Sequence, residues 1–262
     1  MSVAPFGPRD QLVVGFLFLT RLRLPAPGDW PQDAVARAAW TFPVVGVALG
    51  LLGGAVALIA LHLGLPPAAA ALLGLGAAML ATGALHEDGL ADTVDGFGGG
   101  QTREQKLQIM RDSRVGSYGV LALILSVGLR AIALTALLDQ EPTLLDQVPV
   151  LLCAMAAAHA VSRAGLPAIM HGLDPARKTG LGAGAGRPAA PVAQLAAAIG
   201  LAVALVTLGW WRGIFAVAFA AAAVAGTAML ARRQIGGYTG DVLGAAQQVA
   251  EVAVLLAAVA QP

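Results

Sequence analysis

Long apolar stretches alternate with short polar loops along this chain. Seven stretches are long enough to cross the hydrocarbon core of a bilayer as helices, which takes about 20 residues. They cover residues 40–63, 68–85, 115–138, 148–170, 191–211, 213–231 and 242–260. An eighth apolar stretch, residues 11–20, is too short to span and predicts an interfacial or re-entrant helix. The pattern therefore predicts an all-α polytopic membrane bundle with about seven transmembrane helices and short interfacial helices, forming one domain over residues 1–262.

One polar stretch, residues 86–100 (HEDGLADTVDGFGGG), carries four carboxylates within nine residues. On a helix, Asp88, Asp92 and Asp95 stand at i, i+4 and i+7 and share a face. Like charges on one face repel, so a solvated acidic surface and a bound cation are the two interpretations. Burying each Asp in lipid would cost about 2.5–3.5 kcal/mol, which favours the cation. Carboxylate oxygens suit Mg²⁺ or Mn²⁺, and the predicted ligands are Glu87, Asp88, Asp92 and Asp95.

A short amphipathic helix is predicted next, over residues 103–112. Thr102 and Gln105 have the spacing of a capping box, which places the start of the helix. Asp112, Ser113 and Arg114 then bring an acid, a hydroxyl and a cation to the start of the following span. Arg130 lies inside that span, so we expect it to pair within the bundle or to line a polar cavity.

Two later loops are also polar. Residues 171–187 contain Arg177 and Lys178 among repeated glycines, a composition that can bind an anion through backbone N–H groups or serve as a flexible connector. Residues 232–241 form the last charged loop and end at Asp241.

Lys and Arg residues lie almost entirely in loops on one side of the predicted bundle. With the N-terminus in the cytoplasm, the inner side holds Arg9, Arg21, Arg23, Arg37, Arg103, Lys106, Arg111, Arg114, Arg177, Lys178, Arg187, Arg232 and Arg233. The outer side holds only Arg212. This is a strong positive-inside bias. The polar stretches then all open to the cytoplasm, where a single site can gather them.

Composition narrows the function classes further. The chain is 58% hydrophobic and 12% charged, with a mean hydropathy of +0.76, which excludes an ordinary soluble domain. The net charge of +1 gives no overall basic field for nucleic acid. Cys153 is the only cysteine, which excludes an internal disulfide and a thiolate-rich metal site.

Carboxylates beside several Arg and Lys residues indicate a polyanion site and phosphoryl chemistry. The sequence has no Walker A, HExxH or GxSxG motif. A membrane transporter is an alternative, since intramembrane charges such as Arg130 also occur in transporters. Against it, the charges cluster in one set of loops and no inverted repeat is evident.

Three separated segments carry a resemblance to a known family: HEDGLADTVDGFGG, REQKLQIMRDSRVGSYGVLAL and GGYTGDVLGAAQQVAEVAVLL. They resemble the hallmark segments of cobalamin synthase, the adenosylcobinamide-GDP ribazoletransferase family of cobalamin biosynthesis. FLTRLRLP and TFPVVGVALG are similar to that family too. Asp92-Thr-Val-Asp95-Gly96 also resembles the CDP-alcohol phosphatidyltransferase motif, but the Ala-Arg and the later DxxxD of that motif are missing. That family is a second alternative.

The resemblance implies a Mg²⁺-dependent transferase. A ribose hydroxyl of α-ribazole, or of its 5′-phosphate, attacks the cobinamide-side phosphorus of adenosylcobinamide-GDP, and GMP leaves. The resemblance implies a multi-pass protein of the cell inner membrane, in contact with membrane lipid and with its active site facing the cytoplasm. It leaves open a homo-oligomer and an association with other enzymes of cobalamin assembly.

The resemblance also suggests roles for the polar residues. Asp88, Asp92 and Asp95 would hold the metal, with Glu87 completing the shell or acting as the general base. Further catalytic candidates are Asp95, Asp112 and Asp241. The substrate-binding candidates are Arg21, Arg111, Ser113, Arg114, Arg177, Lys178 and Thr239.

Overall fold

In the computed structural model, the described residues are 6–25, 30–140 and 143–260, with only the backbone described for residue 144. This part of the chain forms α-helices and no β-strand. The helices are α1 (Pro8–Leu19), α2 (Ala34–Ala38), α3 (Phe42–His62), α4 (Pro67–Thr82), α5 (Leu85–Gly99), α6 (Arg103–Ile109), α7 (Ser117–Asp139), α8 (Leu144–Ala164), α9 (Leu166–Gly172), α10 (Leu181–Gly184), α11 (Ala190–Leu208), α12 (Trp210–Ile235) and α13 (Gly240–Val259).

Six helical segments of the described chain are long and apolar enough to cross a membrane, which confirms the predicted polytopic helical bundle. They are Ala34–His62, Ser117–Asp139, Leu145–Gly172, Ala190–Leu208, Trp210–Ile235 and Gly240–Val259. The number becomes seven when α4 and α5 are counted as one bent span. Large apolar side chains on the outer face of α7, such as Leu121, Ile124 and Ile132, are exposed as expected for lipid contact.

Two consecutive left-handed residues separate α4 from α5. Gly83 has φ +66° and Ala84 has φ +56°, and the axes of the two helices differ by 89°. The side chain of Arg21 lies against Gly83 where a Cβ would stand, and the Arg21 N–H donates a hydrogen bond to the Ala81 carbonyl. The acidic helix α5 therefore turns away from the direction of α4 instead of continuing it.

Glycines allow the helices in the middle of the bundle to approach closely. A Cβ on Gly46 or Gly50 of α3 would collide with the backbone of α8. A Cβ on Gly53 would lie 2.7 Å from the carbonyl oxygen of Gly74 on α4. Such contacts are typical of membrane bundles, since small residues let membrane helices pack backbone to backbone.

The loops at one end of the bundle are tied together. The Ala176 N–H donates to the Tyr238 carbonyl (2.7 Å), and the Tyr238 N–H donates to the Asp174 carbonyl (3.0 Å). Arg103 of α6 donates to the carbonyls of Ile235 (2.8 Å) and Ala176 (2.6 Å). The Gly-rich loop and the last charged loop are therefore held side by side. Residues 26–29 lie outside the described residues.

Candidate active site

The acidic helix α5 meets the start of α13 through two glycines. A Cβ added to Gly89 would lie 2.8 Å from the Asp241 carbonyl oxygen and 3.1 Å from the Cα of Gly244. A Cβ added to Gly244 would lie 3.0 Å from the His86 carbonyl oxygen. Only glycine permits this separation, because the nearest atoms belong to backbone that cannot move aside. The contact brings Asp88 and Asp92 beside Asp241.

Asp241 is held by two of the predicted substrate-binding residues. Arg177 donates from Nη2 to Asp241 Oδ2 at 2.8 Å, and the Thr239 hydroxyl donates to the same oxygen at 3.1 Å. Thr239 also caps α13, because its Oγ1 accepts a hydrogen bond from the Val242 N–H. The Oδ2 atom of Asp241 is thus fixed. The last charged loop and the Gly-rich loop contribute to one site, as the sequence predicts.

Carboxylates of α5 and α13 act on one another electrostatically. Asp92 is repelled by Asp88, Asp241 and Asp95 and attracted by Arg177. Asp88 is exposed, and Asp92 is partly exposed. α5 covers all four acidic positions, as their spacing predicts, and places negative charge where a cation would be stabilised.

The carboxylates around Asp92 do not enclose a metal ion by themselves. Among the described residues, no three His, Cys, Asp or Glu side chains converge closely enough to hold a metal by themselves. The predicted four-carboxylate cluster is therefore not formed. Mg²⁺ usually keeps several waters and takes one or two protein carboxylates together with substrate phosphates. Asp88 and Asp92 fit that mode of binding, and they do not form a closed protein cage.

A cavity of about 190 Å³ opens beside these groups. Its polar lining comes from His86, Asp88, Arg177 and Asp241. The rest of its lining is mostly apolar and comes from Phe18, Leu19, Phe42, Leu85, Leu166, Leu181 and Leu243, with Gly182, Gly240 and Gly244 completing the wall. The cavity gives a substrate direct access to Asp88, Arg177 and Asp241.

Glu87 is not part of this site, although it is the neighbour of Asp88 in the sequence. Its side chain points into the bundle, where Oε1 accepts a hydrogen bond from Gln248 at 2.9 Å and lies 3.5 Å from Arg130 Nη1. Glu87 is 9% exposed. Adjacent helical residues point about 100° apart, so the two carboxylates face different environments.

Asp95 is bound by the chain itself. Its Oδ2 accepts a hydrogen bond from the Gly116 N–H at 2.7 Å, and its Oδ1 accepts one from the Gly119 N–H at 2.8 Å. These N–H groups belong to the start of α7, where a carboxylate also interacts favourably with the helix dipole. Asp95 therefore anchors α7 to α5, and both of its oxygens are already used.

A network of buried charges lies deeper in the bundle. Glu251 of α13 accepts a hydrogen bond from Arg130 of α7 at 2.8 Å. Its Oε2 lies 3.2 Å from His159 Nδ1 and 3.7 Å from Arg163 Nη1, both on α8. With Glu87 of α5, the network joins four helices. The expectation that Arg130 pairs inside the bundle is confirmed.

Asp112 lines a different depression, with Gly99, Gln101, Gln105, Gln108 and Ile109. Arg114 binds both of its oxygens, with Nη2 at 2.6 Å from Oδ2. Hydrogen bonds from the side chain and the backbone of Arg114 lower the pKa of Asp112 to about 2. A carboxylate with so low a pKa is a weak base near neutral pH. Arg111 and Ser113 are exposed in the same segment.

Two other predicted substrate-binding residues, Lys178 and Arg21, lie at the surface. Lys178 is exposed next to Arg177, and Arg21 is exposed over the junction of α4 and α5. The predicted helix after the acidic stretch is α6, and its capping box between Thr102 and Gln105 is confirmed. Burial raises the pKa of Tyr238, whose hydroxyl donates to the Gly182 carbonyl at 3.2 Å.

Sequence reasoning missed two features of the site. Phe18 of α1 lines the cavity although α1 was expected to be only an interfacial or re-entrant helix with a basic end. The partners of Glu251 were missed as well. The polar spacing of Gln247, Gln248 and Glu251 on an apolar helix was a signal for burial, but it did not identify which charges on other helices they meet.

Comparison with known proteins gives one family and a set of similar chains. The family model for cobalamin-5-phosphate synthase matches residues 11–259. A protein of Bradyrhizobium diazoefficiens called adenosylcobinamide-GDP ribazoletransferase is 49% identical over 250 residues, covering 95% of this chain and 93% of the relative. Proteins of the same name from Mesorhizobium japonicum and Azorhizobium caulinodans are 44% and 42% identical, covering 98% and 89% of this chain and 96% and 90% of the relatives. No solved structure gave a significant match.

Proposed function

The chain belongs to the cobalamin-5-phosphate synthase family, and from this membership we propose how its residues carry out the reaction. It is a transferase that joins adenosylcobinamide-GDP to α-ribazole, or to α-ribazole 5′-phosphate, in the nucleotide-loop assembly of cobalamin biosynthesis. The observation that supports a residue-level mechanism is that Asp88, Asp241 and Arg177 line one cavity. Asp92 lies close enough to interact electrostatically with all three.

We assign Mg²⁺ binding to Asp88 and Asp92, with Asp241 kept free of the ion. When bound, the ion supplies positive charge to the phosphate oxygens of the diphosphate. Glu87 and Asp95 do not belong to this set, because Glu87 pairs with Arg130 and Gln248, and Asp95 binds the start of α7. Their role in the proposal is to hold α5 in place.

Arg177 and Lys178 bind and orient the diphosphate of adenosylcobinamide-GDP. Arg177 is already fixed by Asp241, so its remaining N–H groups have a defined direction, and a planar guanidinium can hold two phosphate oxygens at once. Arg111 and Arg114 are exposed near the start of α7, where they can bind the phosphate of the leaving GMP. Arg21 offers a further cation over the α4–α5 junction.

Asp241 is the proposed general base. Its Oδ2 is occupied by Arg177 and Thr239, so Oδ1 is the atom that takes the proton from the attacking ribose hydroxyl. The hydroxyl oxygen forms a bond to the cobinamide-side phosphorus. The bond from that phosphorus to the bridging oxygen breaks, and GMP leaves with the electron pair. Asp112 is a poor candidate for this step because it lines a different depression and because hydrogen bonds from Arg114 lower the pKa of its carboxyl.

The position of Lys and Arg residues supports a cytoplasmic active site in the inner membrane. The cations that flank the cavity and the loops around it belong to the side of the bundle that the positive-inside rule places in the cytoplasm. The diphosphate of adenosylcobinamide-GDP is charged, so an opening to the cytoplasm gives this substrate access without crossing lipid.

The decisive experiment measures GMP release by the purified full-length protein supplied with adenosylcobinamide-GDP and α-ribazole. We expect turnover with Mg²⁺, loss of turnover with EDTA, and recovery when Mg²⁺ is restored. Vectorial uptake of a substrate into proteoliposomes without GMP release would instead favour a transporter. Turnover of a CDP-alcohol in place of adenosylcobinamide-GDP would favour the phosphatidyltransferase alternative.

Charge-removing variants test the assigned residues. Asp92→Asn and Asp241→Asn keep the shape of the side chain, and we expect each to reduce kcat by about 100-fold or more, the scale of losing one acid–base or charge-stabilising group. Asp139→Asn, at the far end of α7, is the matched control and should keep near-normal turnover. Near-normal turnover of both site variants would remove these carboxylates from the proposed machinery.

A further inference from the structure

The lining of the cavity beside Asp241 is of two chemical kinds. The polar side chains, which define the polar end of the cavity, are those of His86, Asp88, Arg177 and Asp241. The apolar side chains, which define the apolar end, come from α1, α3, α5, α9, α10 and α13 and are those of Phe18, Leu19, Phe42, Leu85, Leu166, Leu181 and Leu243. At that end, the rings of Phe18 and Phe42 stack with their centroids 5.7 Å apart and their planes 10° apart. A ligand that fits both ends must itself be polar on one side and apolar on the other.

The size of the cavity limits what can enter it. Pockets that enclose a whole drug-sized ligand measure about 300–1,000 Å³, whereas this cavity measures about 190 Å³. It therefore takes one part of a substrate. A corrin macrocycle is too large for it, and the diphosphate is matched by the polar end. The apolar end remains for a flat group of one or two rings.

Two such groups occur in the substrates, and their hydrogen-bonding capacity separates them. Guanine carries a carbonyl and several N–H groups, and leaving them unpaired in a buried apolar site is costly. The benzimidazole of ribazole has two fused aromatic rings and no exocyclic donor or acceptor, so it suits a wall of Leu and Phe side chains. We propose that the apolar end of this cavity is the binding site for the benzimidazole base of the ribazole acceptor.

This placement orients the acceptor for the reaction. With the base between Phe18, Leu166 and Leu181, the ribose extends toward the polar end, where Asp241 and Arg177 lie. The inference rests on the proposed function. It adds a role for α1, whose Phe18 contacts the acceptor and determines which base is accepted.

The test combines a substitution in the protein with a change in the base of the acceptor substrate. Phe18→Ala should lower kcat/KM for α-ribazole about tenfold at saturating adenosylcobinamide-GDP, corresponding to about 1.4 kcal/mol. The KM for adenosylcobinamide-GDP should change less than about twofold. An acceptor with imidazole in place of benzimidazole should be poor with the native protein and lose little more with the variant, because the contact it lacks is the one removed.

Two further variants keep the test interpretable. Leu181→Ser changes an exposed residue of α10 that also lines the cavity, and it should reduce the same discrimination if Phe18→Ala does not fold. Phe16→Ala is the matched control on α1, since Phe16 packs against the core and does not line the cavity. It should leave the preference for benzimidazole over imidazole unchanged.

The outcomes separate this inference from the proposed function. GMP release by the native protein tests the proposed function alone. If GMP is released, equal losses for both acceptors in Phe18→Ala and Leu181→Ser would overturn the inference. A rise in the KM for adenosylcobinamide-GDP with an unchanged KM for α-ribazole would overturn it as well and would place the guanine in the cavity.

Discussion

The buried charge network permits a quantitative prediction about stability. Glu251 is 1% exposed and accepts a hydrogen bond from Arg130 at 2.8 Å, with His159 and Arg163 close to its other oxygen. The two carboxylates of the network, Glu87 and Glu251, balance its two guanidinium groups. Glu251→Gln keeps the shape of the side chain but leaves two buried cations facing one anion.

The expected cost follows from this imbalance. Removing one partner of a buried ion pair lowers the free energy of unfolding by about 3–5 kcal/mol, because the other charge stays buried without compensation. That is a large share of the roughly 5–15 kcal/mol by which proteins are stable. Arg130→Met should cost a similar amount, since it leaves two anions facing Arg163. The double variant keeps Arg163 and Glu87, which balance each other. Its loss should therefore be smaller than the sum of the two single losses by about 1–3 kcal/mol.

The assay is reversible unfolding of the full chain in a mixed detergent–lipid system, followed by tryptophan fluorescence from the four Trp residues. Glu104→Gln is the control, because Glu104 is exposed and lies 3.7 Å from Arg103, and surface pairs contribute about 0–1 kcal/mol. A loss below about 1 kcal/mol for Glu251→Gln, or strictly additive losses in the double variant, would refute the charge-balance argument.

Two shorter predictions concern the site. Gly89→Ala should abolish most activity, since its Cβ would lie 2.8 Å from the Asp241 carbonyl oxygen and would push α5 away from α13. Gly128→Ala is the control, because a Cβ at Gly128 would have no neighbour within 4 Å. Equal activities of the two variants would contradict the close contact between α5 and α13. The pKa of Asp112 is lowered from 3.8 to about 2, so its ion pair with Arg114 is present above the unfolded-state pKa and lost only as the pH falls through the folded one. Asp112→Asn should therefore leave the shape of the kcat/KM profile unchanged between about pH 5 and 9, and a shifted limb in that range would show that Asp112 titrates there.

Local patterns in the sequence determined the elements of this protein. Long apolar stretches predicted the membrane helices, because in lipid the backbone N–H and C=O groups of a segment must pair within that segment, as they do in a helix. Thr102 and Gln105 gave the start of α6, since a cap depends on residues three apart. The spacing of Asp88, Asp92 and Asp95 gave an acidic helical face.

The tertiary structure alone decided what each acidic residue does. Glu87 and Asp88 are neighbours, yet Glu87 pairs with Arg130 inside the bundle and Asp88 lines the cavity. Asp95 caps α7. These roles follow from the bend at Gly83 and Ala84 and from the approach of α5 to α13. A carboxylate becomes an ion-pair partner, a cap or a candidate metal ligand according to the groups that distant parts of the chain bring within a few ångströms of it, and no local pattern contains that information.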